Sequence, residues 1–268
     1  MAALIRRKWI CTGLLASALG LAPAFVYAQA PAAPGARLSA LAPENLAKPR
    51  PKPPFDLTGN WFIDNSPGIQ GWLFGPAAIP KLTPAAQKHR DAYVKAIAEG
   101  KVYRDDIGQC WPAGVPIIMT RVWPIAMIQT PTAIYMISEF MNSLRTVFLD
   151  GRTHTEEDIV VRTFNGESVG RWEGDTLVVE TRNFIDDEHH WVDQGVPASG
   201  ELRIVERIRM VGNQLEIAMT LTDPKNWEGE WKGLRRWNRV NDIDVQEVEC
   251  RPDLNEHLQS TSSKVNVR

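Results

Sequence analysis

Residues 168–182 read SVGRWEGDTLVVETR, two β-prone runs on either side of the turn Glu173-Gly-Asp175. Two such runs separated by a short turn with glycine predict a β-hairpin, here 168–172 with 176–182. The pattern recurs along the second half of the chain, with turns about every 8–12 residues. The further predicted strands are 133–140 with 144–149, 202–210 with 215–222, and 231–240 with 244–250. This succession predicts a mainly β protein, an antiparallel meander closed into a barrel, with a β-sandwich as the alternative.

The barrel is expected to be lipocalin- or calycin-like, with one or two peripheral helices. One helix has clear signals, because Thr83 suits an N-cap, Pro84 suits the first helical position and Gly100 ends the run. No tandem repeat of fixed period is found, which argues against a propeller. The predicted organisation is a signal peptide over 1–30, a Pro-rich linker over 31–54, a β-barrel domain over 55–250 and a C-terminal tail over 251–268.

The N-terminus has the pattern of an export signal. Arg6, Arg7 and Lys8 precede an apolar run, and Ala28-Gln-Ala30 suits a signal-peptidase site. We therefore expect a cleaved signal peptide and a periplasmic or secreted protein, by either the Sec or the twin-arginine route. No later segment is apolar over about 18 residues, so no membrane span is expected in the mature chain.

Composition excludes several classes of protein. The 268 residues are 44% hydrophobic and 23% charged, which is typical of a globular domain. The 30 basic and 32 acidic residues give a net charge of −2 without a long basic run, so no nucleic-acid partner is expected. After cleavage Cys110 and Cys250 remain, and in an oxidising compartment they are expected to form a disulfide. Buried free thiols are the alternative.

Charged residues that alternate with apolar ones indicate a polar interior site. Glu206 shares its strand face with Ile204 and Ile208, so it should point inward. By the same argument Glu139 shares a face with Tyr135, and Arg145 shares one with Val147. We expect Glu139, Arg145, Glu206 and Asn142 to line the floor of a cavity. The alternative is a buried ion pair with a purely structural role.

Three further motifs contain candidate functional residues. His154 follows Asp150-Gly-Arg152 beyond a strand end, where it could transfer protons or be a solvated loop residue. The cluster 186–190, DDEHH, is either an acidic loop or a metal site, and we assign no metal to it. Ser168 lies in a G-x-S-x-G pattern, but the hairpin that follows argues against a hydrolase nucleophile elbow, which needs a helix there.

The run 166–181, GESVGRWEGDTLVVET, resembles a broad family of exported bacterial proteins that are largely uncharacterised. Other motifs of that family follow in order: DLTGNW at 56–61, LTP at 82–84, C-x-P-x-G-x-P at 110–116, E-x-x-N-x-x-R at 139–145 and DGR-x-H at 150–154. This resemblance implies export and a shared fold. Separately, Gly59-Asn-Trp61 is similar to the G-x-W start of lipocalin-type barrels. That similarity implies an arginine of the final strands against Trp61, from among Arg235, Arg236 and Arg239.

The leading functional hypothesis is an exported barrel that binds a small aromatic or sugar-like molecule in a Trp-rich pocket. The predicted ligand-binding residues are Trp172, Trp237, Tyr135 and Asn142. The alternative is a cofactor-independent lyase, isomerase or hydrolase. In it His154 would move a proton, Glu139 or Glu206 would be its acid–base counterpart, and Arg145 would stabilise negative charge. A third hypothesis is an envelope interaction module. No nucleotide or zinc-protease motif is present, so no cofactor is expected, and the oligomeric state is open.

Overall fold

A computed structural model describes residues 37–66, 79–104 and 106–255. Within them a closed barrel is formed by β1 (Gly59–Ile63), β2 (Ile125–Gln129), β3 (Ala133–Ser138), β4 (Ser143–Phe148), β5 (Glu167–Glu173), β6 (Thr176–Arg182), β9 (Arg203–Val211), β10 (Gln214–Thr222) and β11 (Trp231–Val240). A separate hairpin consists of β7 (Trp191–Asp193) and β8 (Val196–Pro197). The helices are α1 (Pro43–Leu46) and α2 (Pro84–Ala98), with short 3-10 turns at Ile117–Met119, Phe140–Asn142 and Pro252–Asn255. The mainly β barrel with peripheral helices is confirmed.

The strands follow one another around the barrel as β1–β11–β10–β9–β6–β5–β4–β3–β2, and β2 pairs again with β1. The predicted antiparallel meander is wrong at one place, because β4 and β5 are parallel, with Val147 opposite Ser168. A parallel neighbour needs a connection that returns along the barrel, and residues 149–166 provide it. The predicted strand over 244–250 is also absent, and this segment binds the β3–β4 turn instead.

One end of the barrel, the hairpin end, holds the β2–β3, β5–β6 and β9–β10 turns. There Trp61 is fully buried and its Nε1 donates to the Leu57 carbonyl over 2.8 Å. The arginine that lies against this ring is Arg239, whose guanidinium carbon is 4.6 Å from the ring centroid. Arg239 also donates to the carbonyl of Asp56 over 2.8 Å. These contacts fix the chain that enters β1 against the last strand.

The Pro-rich segment differs from the extended linker that we predicted over 31–54. From Ser39 onward it belongs to the same compact unit as the barrel. Helix α1 lies within it, and Asn45 is buried and donates to Asp150 over 2.9 Å. Thr132 donates to the Ala40 carbonyl over 2.6 Å. Proline lowers the entropy cost of fixing a segment, so it does not prevent docking. The predicted signal peptide, residues 31–36 and the tail beyond 255 lie outside the described residues.

The two long connections of the chain lie at the opposite end of the barrel, which we call the covered end. The β1–β2 connection contains α2 and the Ile117–Met119 turn, and the β6–β9 connection contains the β7–β8 hairpin. Thr83 caps α2 as predicted, accepting from the Ala86 backbone N–H over 3.4 Å. Helix α2 packs against β8, and β7 packs against the Ile117–Met119 turn. None of the helices in the described residues is long and apolar enough to cross a bilayer.

Candidate functional site

The interior of the barrel contains a buried polar network centred on Arg145 of β4. Its guanidinium binds both carboxylate oxygens of Glu206, one of them over 3.0 Å, and donates to Ser168 and Thr181 over 3.1 and 3.0 Å. Arg145 is 1% exposed and Glu206 is 0% exposed. The alternation on β9 therefore predicts the orientation of Glu206 correctly. Because each guanidinium nitrogen already has a protein acceptor, the geometry favours a structural ion pair.

The other two residues expected beside this pair lie elsewhere. Glu139 begins the β3–β4 turn, and its carboxylate accepts from the Gln246 backbone N–H over 3.2 Å. Asn142 is exposed and exchanges two hydrogen bonds with the Val248 backbone, of 2.6 and 2.8 Å. Both side chains thus hold the C-terminal segment. The predicted cavity floor of Glu139, Asn142, Arg145 and Glu206 is therefore wrong.

The predicted aromatic wall is also dispersed. Trp237 is fully buried inside the barrel, whereas Trp172 is half-buried at the hairpin end, edge-on to Phe55 at 4.9 Å. Tyr135 lies on the outer face, because Ile134 and Met136 take the inward positions on β3. None of these three predicted wall residues lines either of the two cavities described below.

His154 lies against Glu167, with 3.4 Å between its Nδ1 and the carboxylate, and not against Glu139 or Glu206. Glu167 also accepts from the backbone N–H of Thr155 over 2.7 Å and from Asn183 over 3.1 Å. Burial, followed by the nearby Arg182, lowers the pKa of His154 below its ordinary value. The neighbouring Ser168 points into the barrel while Glu167 points out, so the barrel wall separates His154 from the Arg145 network.

The cluster 186–190 is divided among different contacts. Asp186 pairs with Lys225 over 3.1 Å, and Asp187 pairs with the Nδ1 of His189 over 2.7 Å. His190 is fully buried, and its Nε2 donates to the Val115 carbonyl over 3.1 Å. Within the described residues, no three His, Cys, Asp or Glu side chains are grouped so that they could hold a metal ion.

We expect the free energy of unfolding to fall as the pH drops from 7 to 5, with His190 as one cause. Burial lowers the pKa of His190 in the folded chain. As the pH drops, the unfolded chain therefore binds a proton at this histidine near pH 6.5, whereas the folded chain binds it only at lower pH. The contribution of His190 to stability is therefore fully present above about pH 6.5 and is lost progressively below it. Urea unfolding at several pH values measures how steeply the free energy of unfolding falls as the pH drops. His190→Gln should reduce this slope by the amount that corresponds to at most one bound proton. An unchanged slope in that variant would mean that His190 does not resist protonation.

A cavity of about 250 Å³, the aromatic pocket, lies at the covered end between α2, residues 102–121 and the β7–β8 hairpin. Its aromatic walls are Tyr93, Tyr103 and Trp191, and its charged residues are Arg104, Asp106, Arg121 and Asp193. The ring centroids of Tyr103 and Trp191 are 6.0 Å apart with the planes at 80°. Tyr93 meets Tyr103 in the same edge-on manner at 6.3 Å. The Tyr103 and Trp191 rings therefore meet at nearly a right angle and form an aromatic corner in the pocket wall.

One charged pair of this pocket holds Trp191 in place. The Trp191 Nε1 donates to Asp106 over 2.8 Å, and Arg104 donates to the same carboxylate over 3.2 Å. The Arg104 guanidinium also lies 5.1 Å from the Trp191 ring centroid. Arg104 also pairs with Glu188 over 3.3 Å, so its guanidinium joins two carboxylates on this side of the pocket.

A second group of charges lies on the hairpin side of the pocket. Asp193 lies at the end of β7, and burial raises its pKa above the ordinary value. Arg121 also lines the pocket, and burial lowers its pKa to about 10 although the charge of Asp193 acts in the opposite direction. Gln194 joins this group to α2, because Tyr93 donates to its side chain and Arg90 donates to its carbonyl over 2.7 Å. The pocket thus combines apolar walls with partly buried charges, which is typical of a ligand site.

A larger cavity of about 630 Å³, the polar cleft, opens beside the starts of the β6–β9 and β10–β11 connections. Its charged residues largely pair with one another. Lys225 pairs with Asp186 and Glu201 over 3.1 and 3.8 Å, and Arg162 pairs with Glu157 over 3.6 Å. Most of these side chains are exposed to solvent, so the cleft offers weak recognition compared with the aromatic pocket.

The aromatic pocket was not predicted, although the sequence contains one signal for it. Asp193-Gln-Gly195 separates two short apolar runs, which is a hairpin pattern. Gly195 has a φ of +71°, and a Cβ there would approach the Cβ of Tyr93 to 2.6 Å. The glycine therefore allows the hairpin to lie against α2, and this contact forms the pocket.

Comparison with known proteins gives matches among solved structures alone. No family model matches the chain, and no curated protein matches it. Among solved structures, a mutant of the fluorescent protein UnaG matches with 12% identity and a TM-score of 0.31, over 69% of this chain and 97% of that chain. The barrel assignment rests on the strand pairing given above.

Proposed function

We propose that this protein binds a small organic molecule with a flat ring in the aromatic pocket. The observation that carries the proposal is the right-angled corner of Tyr103 and Trp191, which is next to partly buried charges. A volume of about 250 Å³ lies below the usual range for drug-sized ligands, so it suits one or two rings. The ligand site proposed from the sequence thus moves from the interior of the barrel to its covered end.

Export is part of this proposal. The N-terminal pattern is that of a signal peptide, and the Cys110–Cys250 disulfide is compatible with an oxidising compartment. The acid–base alternative has less support, because it needs His154 to face Glu139 or Glu206. His154 lies against Glu167 instead, on the outer side of the barrel wall.

The proposal is tested with indole as a neutral probe, titrated by calorimetry into wild-type protein and two variants at one position. Tyr103→Leu should weaken indole binding about tenfold, because it removes one wall of the corner. Tyr103→Phe keeps the ring and should bind indole as the wild type does.

Trp172→Leu is the matched control, since it removes an aromatic ring that lies outside the pocket at the hairpin end. It should leave the affinity for indole unchanged. Failure of the wild type to bind indole, or equal binding by Tyr103→Leu, would refute the aromatic pocket as the ligand site.

A further inference from the structure

A histidine lies in the wall of the aromatic pocket beside its tryptophan. Every second residue of this segment lines the pocket, namely His189, Trp191 and Asp193. His190 and Val192 lie between them and are fully buried. A period of two residues is that of an extended chain, so the segment that leads into β7 presents the imidazole of His189 and the indole of Trp191 to the same cavity.

One carboxylate fixes the imidazole of His189. The Asp187 Oδ1 accepts from the backbone N–H of His189 over 2.9 Å and lies 2.7 Å from the ring Nδ1. Burial acts to raise the pKa of Asp187, but the hydrogen bonds from His189 outweigh it and hold the pKa below its ordinary value. Because an ionised carboxylate only accepts hydrogen bonds, Nδ1 carries the hydrogen. In the neutral imidazole the other nitrogen, Nε2, is then an acceptor.

The indole of Trp111 holds the same imidazole from one face. The centroids of the two rings are 3.6 Å apart, and their planes differ by 7°. Trp111 is itself fixed, because its backbone N–H donates to the Asp106 carbonyl over 3.0 Å and the preceding Cys110 is bridged to Cys250. The His189 ring is therefore held at one edge and on one face, and it cannot turn without losing a contact.

The Nε2 atom of His189 is left for a ligand. Among the residues that the structure describes, none forms a hydrogen bond with this atom. A fixed acceptor in the wall of an aromatic pocket favours a ring that carries a hydrogen-bond donor. A phenolic hydroxyl is a neutral donor that suits an imidazole nitrogen. The same pairing occurs within the pocket wall, where the hydroxyl of Tyr103 lies 2.9 Å from the Nδ1 of His89.

We propose that the ligand of the aromatic pocket is a phenol, a ring that carries a hydroxyl group, and that His189 determines this specificity by accepting the hydroxyl hydrogen at Nε2. The inference rests on the proposed function, because it names the chemical class of molecule for that same pocket. Asp187 is a positioning residue, since it acts on the ligand only through His189.

The test compares 4-methylphenol with its methyl ether, 4-methylanisole, which keeps the ring and the oxygen but has no hydrogen to donate. Both are titrated calorimetrically by displacement of indole, so that they report on the same pocket. Wild-type protein should bind 4-methylphenol at least about fivefold more tightly than 4-methylanisole. His189→Phe keeps a ring against Trp111 but removes the acceptor. It should bring the two affinities within about twofold of each other and leave that for 4-methylanisole within about twofold of its wild-type value.

Two neighbouring acidic residues provide a matched pair of variants. Asp187→Ala removes the group that orients His189, so its preference for 4-methylphenol should lie between those of the wild type and His189→Phe. Asp186→Ala is the control, because Asp186 pairs with Lys225 over 3.1 Å instead, and it should change the affinity for neither probe. The ratio of the two affinities is measured because a general loosening of the pocket would weaken both probes alike. Asp187→Ala also serves as the second variant should His189→Phe fail to fold, as judged by thermal melting.

The outcomes separate the inference from the function beneath it. Equal affinity for the two probes in the wild type, or tighter binding of 4-methylanisole, would overturn the assignment of a phenol while ring binding stands. An unchanged preference for 4-methylphenol in His189→Phe would overturn the role of His189. Failure of indole and of both probes to bind would refute the proposed function itself.

Discussion

Replacing Glu206 with glutamine is expected to lower the free energy of unfolding by about 3–5 kcal/mol. The substitution leaves the guanidinium of Arg145 charged and 1% exposed, without the carboxylate that binds two of its nitrogens. Ser168 and Thr181 remain as acceptors, but a hydroxyl does not offset a full charge. Urea unfolding followed by circular dichroism measures the loss.

A matched control lies one residue further along β9. Arg207 points to the outer face and pairs with Glu173 over 3.1 Å, with about half of its side chain exposed. Arg207→Gln should therefore cost less than about 1 kcal/mol. The double variant Arg145→Met, Glu206→Leu should recover most of the stability lost in Glu206→Gln, because it removes both charges and keeps the volume. Equal unfolding curves for wild type and Glu206→Gln would contradict the buried network.

Exchanging both Cys110 and Cys250 for serine is expected to lower the free energy of unfolding by about 3–5 kcal/mol. The disulfide spans a sequence separation of 140 residues, and closing so long a loop removes much entropy from the unfolded chain. For a domain of this size the melting temperature should drop by about 10 °C.

The same variant should also weaken ligand binding. Cys110 follows closely after Ile107, which lines the aromatic pocket, so the bridge fixes this wall to the C-terminal segment. Reduced wild-type protein is the control, and it should have the same melting temperature as the double serine variant. Identical melting of oxidised and reduced wild type would show that the bridge does not stabilise the fold.

The sequence predicted most of the barrel because several strands alternate cleanly. On β9, arginines occupy one face and aliphatic residues the other, so the orientation of Glu206 follows from the pattern. The 168–182 hairpin was predicted within one residue of β5 and β6, and β11 was predicted with its observed bounds. A polar turn with glycine fixes such boundaries.

On β3 the alternation of residues does not identify the inward face, and the predicted site was misplaced for this reason. Tyr135 and Ile137 lie on one face of β3, and Ile134 and Met136 lie on the other, so apolar residues occur on both faces. Which face is inward is then decided by the partners β2 and β4, and the sequence does not show that pairing. Glu139 was misplaced for a second reason, since it belongs to a turn in which Met141 and Asn142 have positive φ.

The aromatic pocket could not be predicted from alternation at all. Its walls come from α2 and the loop that follows it, and from the β7–β8 hairpin much further along the chain. Trp191 and Asp193 come directly after the DDEHH cluster of 186–190, which was considered as an acidic loop or a metal site. Only the packing of the β7–β8 hairpin against α2 brings these side chains together.

The pairing of β1 with β11 sets a condition on how the chain acquires its structure during synthesis. Trp61 at the start of the barrel needs Arg239 from its last strand, so a ribosome must release nearly the whole domain before the barrel can close. Contacts of such long sequence separation also make folding slow. Until then β1 and β10 each present an unpaired strand edge, and the nascent polypeptide depends on protection from aggregation at these edges.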